Sequence, residues 1–153
     1  MGKLQQGDKA PDFEAWSDEN QKVRLSDFRG QPVILYFYPK DNTTGCTKQS
    51  CLFRDHYPEF EAKNAIIFGI SPDNVNSHKK FKANHKLPFT LLVDTDHKIA
   101  DLFGVWGKKS MYGKTYWGII RSHFVIDKEG KILDSQYRVS PAKSASKALE
   151  QLD

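Results

Sequence analysis

Residues 32–38 read PVILYFY, an apolar, β-branched and aromatic run bounded by Gly30 and Pro39. A run this short, with no polar alternation, predicts a strand buried on both faces of a sheet. Ala65 to Ile70 (AIIFGI) is a second such run, ended by Ser71-Pro72-Asp73. Thr90 to Val93 is a shorter third, and Ser122 to Ile126 (SHFVI) a fourth. Asp127-Lys128-Glu129-Gly130 then signals a turn into Lys131 to Tyr137, which predicts a β-hairpin with a four-residue loop. Val23 to Leu25 adds a candidate N-terminal strand.

Helical spacing lies between the runs. Cys46 to Lys63 places Phe53, Tyr57 and Phe60 on one face. Pro58 has no N–H to give the Arg54 carbonyl, so a kink or an early stop is expected there. Asn74 to His85 follows a cap at Asp73 or Asn74. Lys98 to Phe103 is a short helix closed by Gly104, and Ala142 to Leu152 follows Ser140-Pro141. The element order implies an α/β sandwich: a central mixed sheet with helices on both faces. The order resembles that of a thioredoxin-like fold with an N-terminal extension.

The 153 residues suit one domain, 1–153, with a core that needs no disulfide staple. The net charge of +4 comes from lysines interleaved with Asp and Glu, which argues against nucleic-acid binding. The densest basic run, His78 to Lys82, is expected to be the solvated face of a helix. Met1 to Ala10 lacks the apolar region of a secretory signal, and no stretch is long enough for a membrane span, so a cytoplasmic location is expected.

The two cysteines, at 46 and 51, are too few for a disulfide scaffold. In a cytosolic protein such a close pair is catalytic, redox-active or metal-binding more often than structural. Cys46 falls where a buried strand has ended and a helix begins, after Asn42, Thr43, Thr44 and Gly45. Strand ends in α/β sheets are where ligand sites usually form. A cysteine in a first helical turn meets free backbone N–H groups and the positive end of the helix dipole, and both favour the nucleophilic thiolate. A lone buried cysteine would simply fill core volume, but these flanking residues are loop and cap formers.

Residues 39–46 resemble the peroxiredoxin motif: proline, three residues, threonine, two residues, cysteine. Cys46-Thr47-Lys48-Gln49-Ser50-Cys51 with Phe53-Arg54-Asp55 is similar to the bacterioferritin comigratory protein, or peroxiredoxin Q, class. Gly7 to Phe13, Leu25 to Gly30, Leu87-Pro88-Phe89, Leu92 to Asp94 and Arg121 to Asp127 extend the likeness over most of the chain. The resemblance implies a thiol-dependent peroxidase acting on hydrogen peroxide and organic hydroperoxides. Cys46 would attack the peroxide and become a sulfenic acid. Thr43 would hydrogen-bond the thiolate and the peroxide. Arg121 would hold the thiolate and stabilise charge as the O–O bond breaks. Pro39 would shield the site, and the N–H groups of Gly45 and Cys46 would point donors at the substrate.

Cys51 would resolve the sulfenic acid in a Cys46–Cys51 disulfide, recycled by thioredoxin or a glutaredoxin-type system. On an ideal helix, residues five apart rise about 7.5 Å and lie roughly 140° apart, which puts their Cα atoms about 8 to 9 Å from each other. A disulfide needs less than about 7 Å. The first turns must therefore unwind before the bridge closes. The class carries Glu-Ala before its second cysteine, whereas this chain has Gln49-Ser50. That exchange is expected to alter Cys46 reactivity or reductant preference without loss of activity, because Gln49 still hydrogen-bonds.

No cofactor or metal is expected, since sulfur carries the redox chemistry and His56, His78, His85, His97 and His123 form no metal signature. A bridge within one chain makes a dimer unnecessary, so a monomer is expected. Trp106, Tyr112, Tyr116 and Trp117 fall in a glycine-broken loop, Gly104 to Gly118. It either covers the sheet or forms a pocket wall or reductase-docking surface. Two rival functions stand beside the peroxidase. A general thiol–disulfide oxidoreductase would use two cysteines separated by two residues, which this chain lacks. A non-catalytic holdase or binding protein has only the basic surface and the aromatic loop for support.

Overall fold

A computed structural model of the chain describes residues 3–152. In chain order the elements are β1 (Glu14–Ser17), β2 (Lys22–Arg24), β3 (Val33–Phe37), α1 (Thr44–Asp55), α2 (Tyr57–Ala62), β4 (Ile66–Ser71), α3 (Val75–His85) and β5 (Thr90–Val93). They continue with α4 (Lys98–Leu102), β6 (Trp106–Met111), β7 (Lys114–Ile119), β8 (Ser122–Ile126), β9 (Ile132–Tyr137) and α5 (Ser144–Glu150). Seven strands form one sheet in the order β2-β1-β5-β4-β3-β8-β9. β3, β4 and β5 are parallel, and β8, β9, β1 and β2 join antiparallel, so the sheet is mixed.

β3 shows why the sheet is covered on both faces. Successive side chains of a strand point to opposite faces. Val33, Leu35 and Phe37 enter one core with Phe103, Phe124 and residues of α4. Ile34, Tyr36 and Tyr38 enter the other with residues of α1, α2, α3 and α5. Every residue of β3 is buried, as the unbroken apolar run required.

The register of β3 with β8 builds the site. Phe37 pairs with Ser122 and Val33 with Ile126. The antiparallel pairing brings the beginning of β8 to the carboxyl end of β3, so Arg121 meets the segment that enters α1.

The early stop expected near Pro58 is present: the stretch from Cys46 to Lys63 holds two helices, broken at His56, with Pro58 in the first turn of α2. There the missing N–H has no helical acceptor to leave empty. The segment expected to be a loop, Gly104 to Gly118, is largely the β6–β7 hairpin. Tyr112 and Gly113 both have positive φ, the geometry of a tight hairpin turn. Its strands are mostly exposed, so they carry no alternating apolar pattern. Tyr112 is 97% and Trp117 57% exposed, while Trp106 stacks on His97 with ring centroids 3.9 Å apart.

Candidate active site

Cys46 is the third residue of α1 and is buried. Cys46, Gln49, Ser50 and Phe53 form the buried face of the helix, the spacing of one helical stripe. Thr43 is the N-cap residue, but its side chain caps no helix N–H. Its hydroxyl donates instead to the Lys40 carbonyl at 2.7 Å. The first N–H groups of α1, those of Gly45 and Cys46 among them, have no carbonyl one turn behind them to satisfy. Pro39 is half-buried at the end of β3.

Arg121 reaches Cys46 from the position just before β8. Its Nη2 donates to the Cys46 Sγ at 3.4 Å, and its Nη1 donates to Gln49 Oε1 at 2.8 Å. A guanidinium next to sulfur stabilises negative charge on it. Gly45 leaves room for this approach: a Cβ there would lie 3.0 Å from Arg121 Nη2. Lys109 of the hairpin is a further cation in this field. Burial and the charge of Arg121 push its pKa down, with Cys46 acting the other way, and its Nζ donates to the Ile119 carbonyl at 2.7 Å.

Cys51 lies half-buried on the same intact helix. Burial pushes its thiol pKa up, Asp55 adds to this, and Arg54 opposes it. Both thiols are free.

The loop before α1 is tied down by Asp41. Its carboxylate accepts from Tyr38 Oη (2.6 Å), Ser77 Oγ (2.8 Å) and His78 Nδ1 (2.8 Å). Its N–H donates to Asp73 at 2.8 Å. Next to it, Asn42 takes a positive φ, which asparagine tolerates better than most residues. His78 is therefore not on the solvated face that the basic run predicted; it is buried, while Lys79 and Lys80 are exposed. Asp41, Asp73 and His78 bring possible ligand atoms within 4.8 Å of one another. The His78 Nε2, however, bonds the Leu92 carbonyl at 2.8 Å, so neither ring nitrogen has a lone pair to offer.

Sequence reasoning missed Asp41, His78, Lys109, Ser144 and His123 as parts of this neighbourhood. One signal was present: a histidine inside the buried run SHFVI must find a polar partner.

The sequence matches the AhpC/TSA family over residues 6–135. It is 48% identical over 146 residues to peroxiredoxin Bcp of Bacillus subtilis, covering 95% of this chain and 93% of that one. The fold superposes on a cysteine-to-serine mutant of Xylella fastidiosa PrxQ with a TM-score of 0.92, at 32% identity over 99% of this chain and 96% of that one. It superposes on Xanthomonas campestris bacterioferritin comigratory protein, solved in trapped intermediate and ligand complexes that bear on its alkyl peroxide reduction, with a TM-score of 0.85. There the identity is 34%, over 90% of this chain and 88% of that one.

Proposed function

The chain belongs to the AhpC/TSA family, as a peroxiredoxin of the Bcp class, and from that premise we propose how its residues share the peroxidase reaction. The Cys46 thiolate attacks one peroxide oxygen. An S–O bond forms as the O–O bond breaks, sulfur is oxidised to the sulfenic acid, and the leaving oxygen departs as water or an alcohol after taking a proton. Arg121 holds the thiolate and stabilises the charge that develops on the parting oxygens. The N–H groups of Gly45 and Cys46 add donors. Thr43 turns its hydroxyl from the Lys40 carbonyl toward the substrate, and Pro39 screens the pocket.

The observation that carries this reading is the Arg121 Nη2 to Cys46 Sγ contact of 3.4 Å at the start of α1. It joins a cation and a thiol 75 residues apart at a helix N-terminus.

In the second step the Cys51 sulfur attacks the sulfenic acid, an S–S bond forms, and water leaves. Both cysteines sit on one continuous helix, so α1 unwinds across Gln49 and Ser50 for this step. A dithiol reductant of the thioredoxin type then exchanges with the bridge and restores both thiols. Substrates are hydrogen peroxide and organic hydroperoxides, and the cycle needs only one chain. Among the described residues no helix is long and apolar enough to cross a membrane.

Peroxide turnover with thioredoxin and its reductase tests the assignment. Cys46→Ser should be inactive. Cys51→Ser should consume one equivalent and stall until an outside thiol is added. Turnover by Cys46→Ser at the wild-type rate would overturn the reading.

A further inference from the structure

Three hydrogen bonds run from Arg121 into the interior, away from Cys46. Arg121 Nη1 donates to Gln49 Oε1 at 2.8 Å, Gln49 Nε2 donates to Ser144 Oγ at 3.1 Å, and Ser144 Oγ lies 2.7 Å from His123 Nδ1. Gln49, Ser144 and His123 are all fully buried. The chain links α1, the first residue of α5, and β8.

A carboxamide has two unlike ends. Turned the wrong way, Gln49 would set its NH₂ against the guanidinium, donor against donor, since arginine cannot accept. Something must hold that NH₂ on its far side, and the Ser144 oxygen is placed to do so. A hydroxyl can face either way, so Ser144 needs a partner that settles its own proton. His123 is that partner. Its Nε2 makes no hydrogen bond and lies 3.9 Å from Asp134 Oδ2, which favours a proton on that nitrogen. Burial, with Lys147 adding to it, lowers the imidazole pKa to about 4, so the ring is neutral near pH 7. Its Nδ1 is then a bare acceptor that only the Ser144 proton can meet. The direction of every bond follows: Ser144 donates to His123, Gln49 donates to Ser144, and Gln49 Oε1 is left facing Arg121.

We propose that Ser144 and His123 are positioning residues of the peroxidase step, which act through Gln49 to hold the Arg121 guanidinium on Cys46. The proposal rests on Arg121 serving Cys46 as described above. It makes a claim particular to glutamine at position 49. A carboxylate accepts at both oxygens and needs no orienting partner, so the substitution Gln49→Glu should abolish the dependence on Ser144 and His123.

The test measures the rate of Cys46 oxidation by hydrogen peroxide and the pH midpoint of its thiolate ultraviolet absorbance, both in a Cys51→Ser background. With Gln49 present, Ser144→Ala and His123→Leu should each slow oxidation by about tenfold and raise the thiolate midpoint, the effect of loosening one charge-assisted contact. In the Gln49→Glu background the same substitutions should change the rate by less than about twofold. Equal losses in both backgrounds, or no loss with Gln49, would overturn the proposal. Ser144→Ala removes a single oxygen, so it settles the question even if His123→Leu does not fold. Arg121→Gln separates the two levels. If it leaves rate and midpoint unchanged, the role of Arg121 fails and this inference with it. If it moves both while Ser144→Ala moves neither, only the positioning chain fails.

Discussion

Cys46 is held from two sides, and each side ends on a histidine with no exposed surface. On the loop side, Asp41 is tied to His78 of α3. On the helix side, Gln49 runs through Ser144 to His123 of β8. Burial is the same, yet the charges differ because the partners differ. His78 faces a carboxylate on one nitrogen and a carbonyl on the other, so both nitrogens must donate. Burial works against its charge, but the bonds to Asp41 and Leu92 and the charges of Asp41 and Asp73 outweigh it, and its pKa is raised. His123 faces a hydroxyl that can donate and stays neutral. The loop before α1 is thus held by a charged pair, Asp41 with His78. The stretch of α1 that the proposed resolving step unwinds is held, beyond the Arg121–Gln49 bond, by the neutral groups Gln49, Ser144 and His123.

The largest test of this contrast is removal of each ring. His78→Leu strands a buried carboxylate and should lower stability by about 3 to 5 kcal/mol. His123→Leu strands only a hydroxyl and should cost about 1 to 3 kcal/mol. The double variant Asp41→Asn/His78→Leu should recover part of the larger loss. Urea unfolding at neutral pH measures all three. Equal costs for the two single variants would remove the distinction.

The dependence of stability on pH sharpens it. His123 falls from 6.5 unfolded to about 4 folded, so the unfolded chain binds a proton that the native one refuses. Stability should fall by up to about 3 kcal/mol as the pH drops through that window. His78 has the opposite sign. Its pKa is raised in the fold, so its contribution is complete below 6.5 and is lost as pH rises through the folded value. Unfolding curves across pH should therefore lose their acid slope in His123→Leu and their alkaline slope in the Asp41→Asn/His78→Leu pair. A wild-type acid slope that persists in His123→Leu would place the proton elsewhere.

The smallest effect concerns another neutral tie on the helix side, Ser50 Oγ to Tyr36 Oη at 2.9 Å. Ser50→Ala should cost about 1 kcal/mol. The same change should speed formation of the Cys46–Cys51 bridge after a peroxide pulse, because the turn that unwinds has lost an anchor. Circular dichroism of the bridged form should show less helix than the reduced form. Unchanged helix content would mean that the thiols meet by another route.

Much of the fold was legible because local patterns report local structure. The unbroken runs of β3, β4, β5 and β8 followed from burial on both faces, and α3 from its periodicity and its Asn74 cap, which accepts from the Ser77 N–H. The β6–β7 hairpin escaped because its strands are mostly exposed, with Ile119 at its base the one fully buried strand residue, so they carry no apolar alternation. His78 was misplaced for the converse reason. Lysines beside it marked the helix as solvated, although the position i, i+3 pair His78 and Phe81 turns inward.

At the site, the sequence alone determined that Cys46 opens a helix after a buried strand, that Cys51 shares that helix, and that the two cannot bond while it is intact. Those are statements about neighbours along a chain, where helical rise and angle settle the distance. Which groups meet Cys46 from far away was decided by tertiary structure. Arg121 arrives because β8 runs antiparallel to β3 with Phe37 opposite Ser122. Ser144 and His123 join Gln49 because α5 and β8 close over the same buried face of α1. A hydrogen bond between residues 95 positions apart leaves no periodic trace in sequence, and the charge of a buried histidine depends wholly on which partners the fold brings to it.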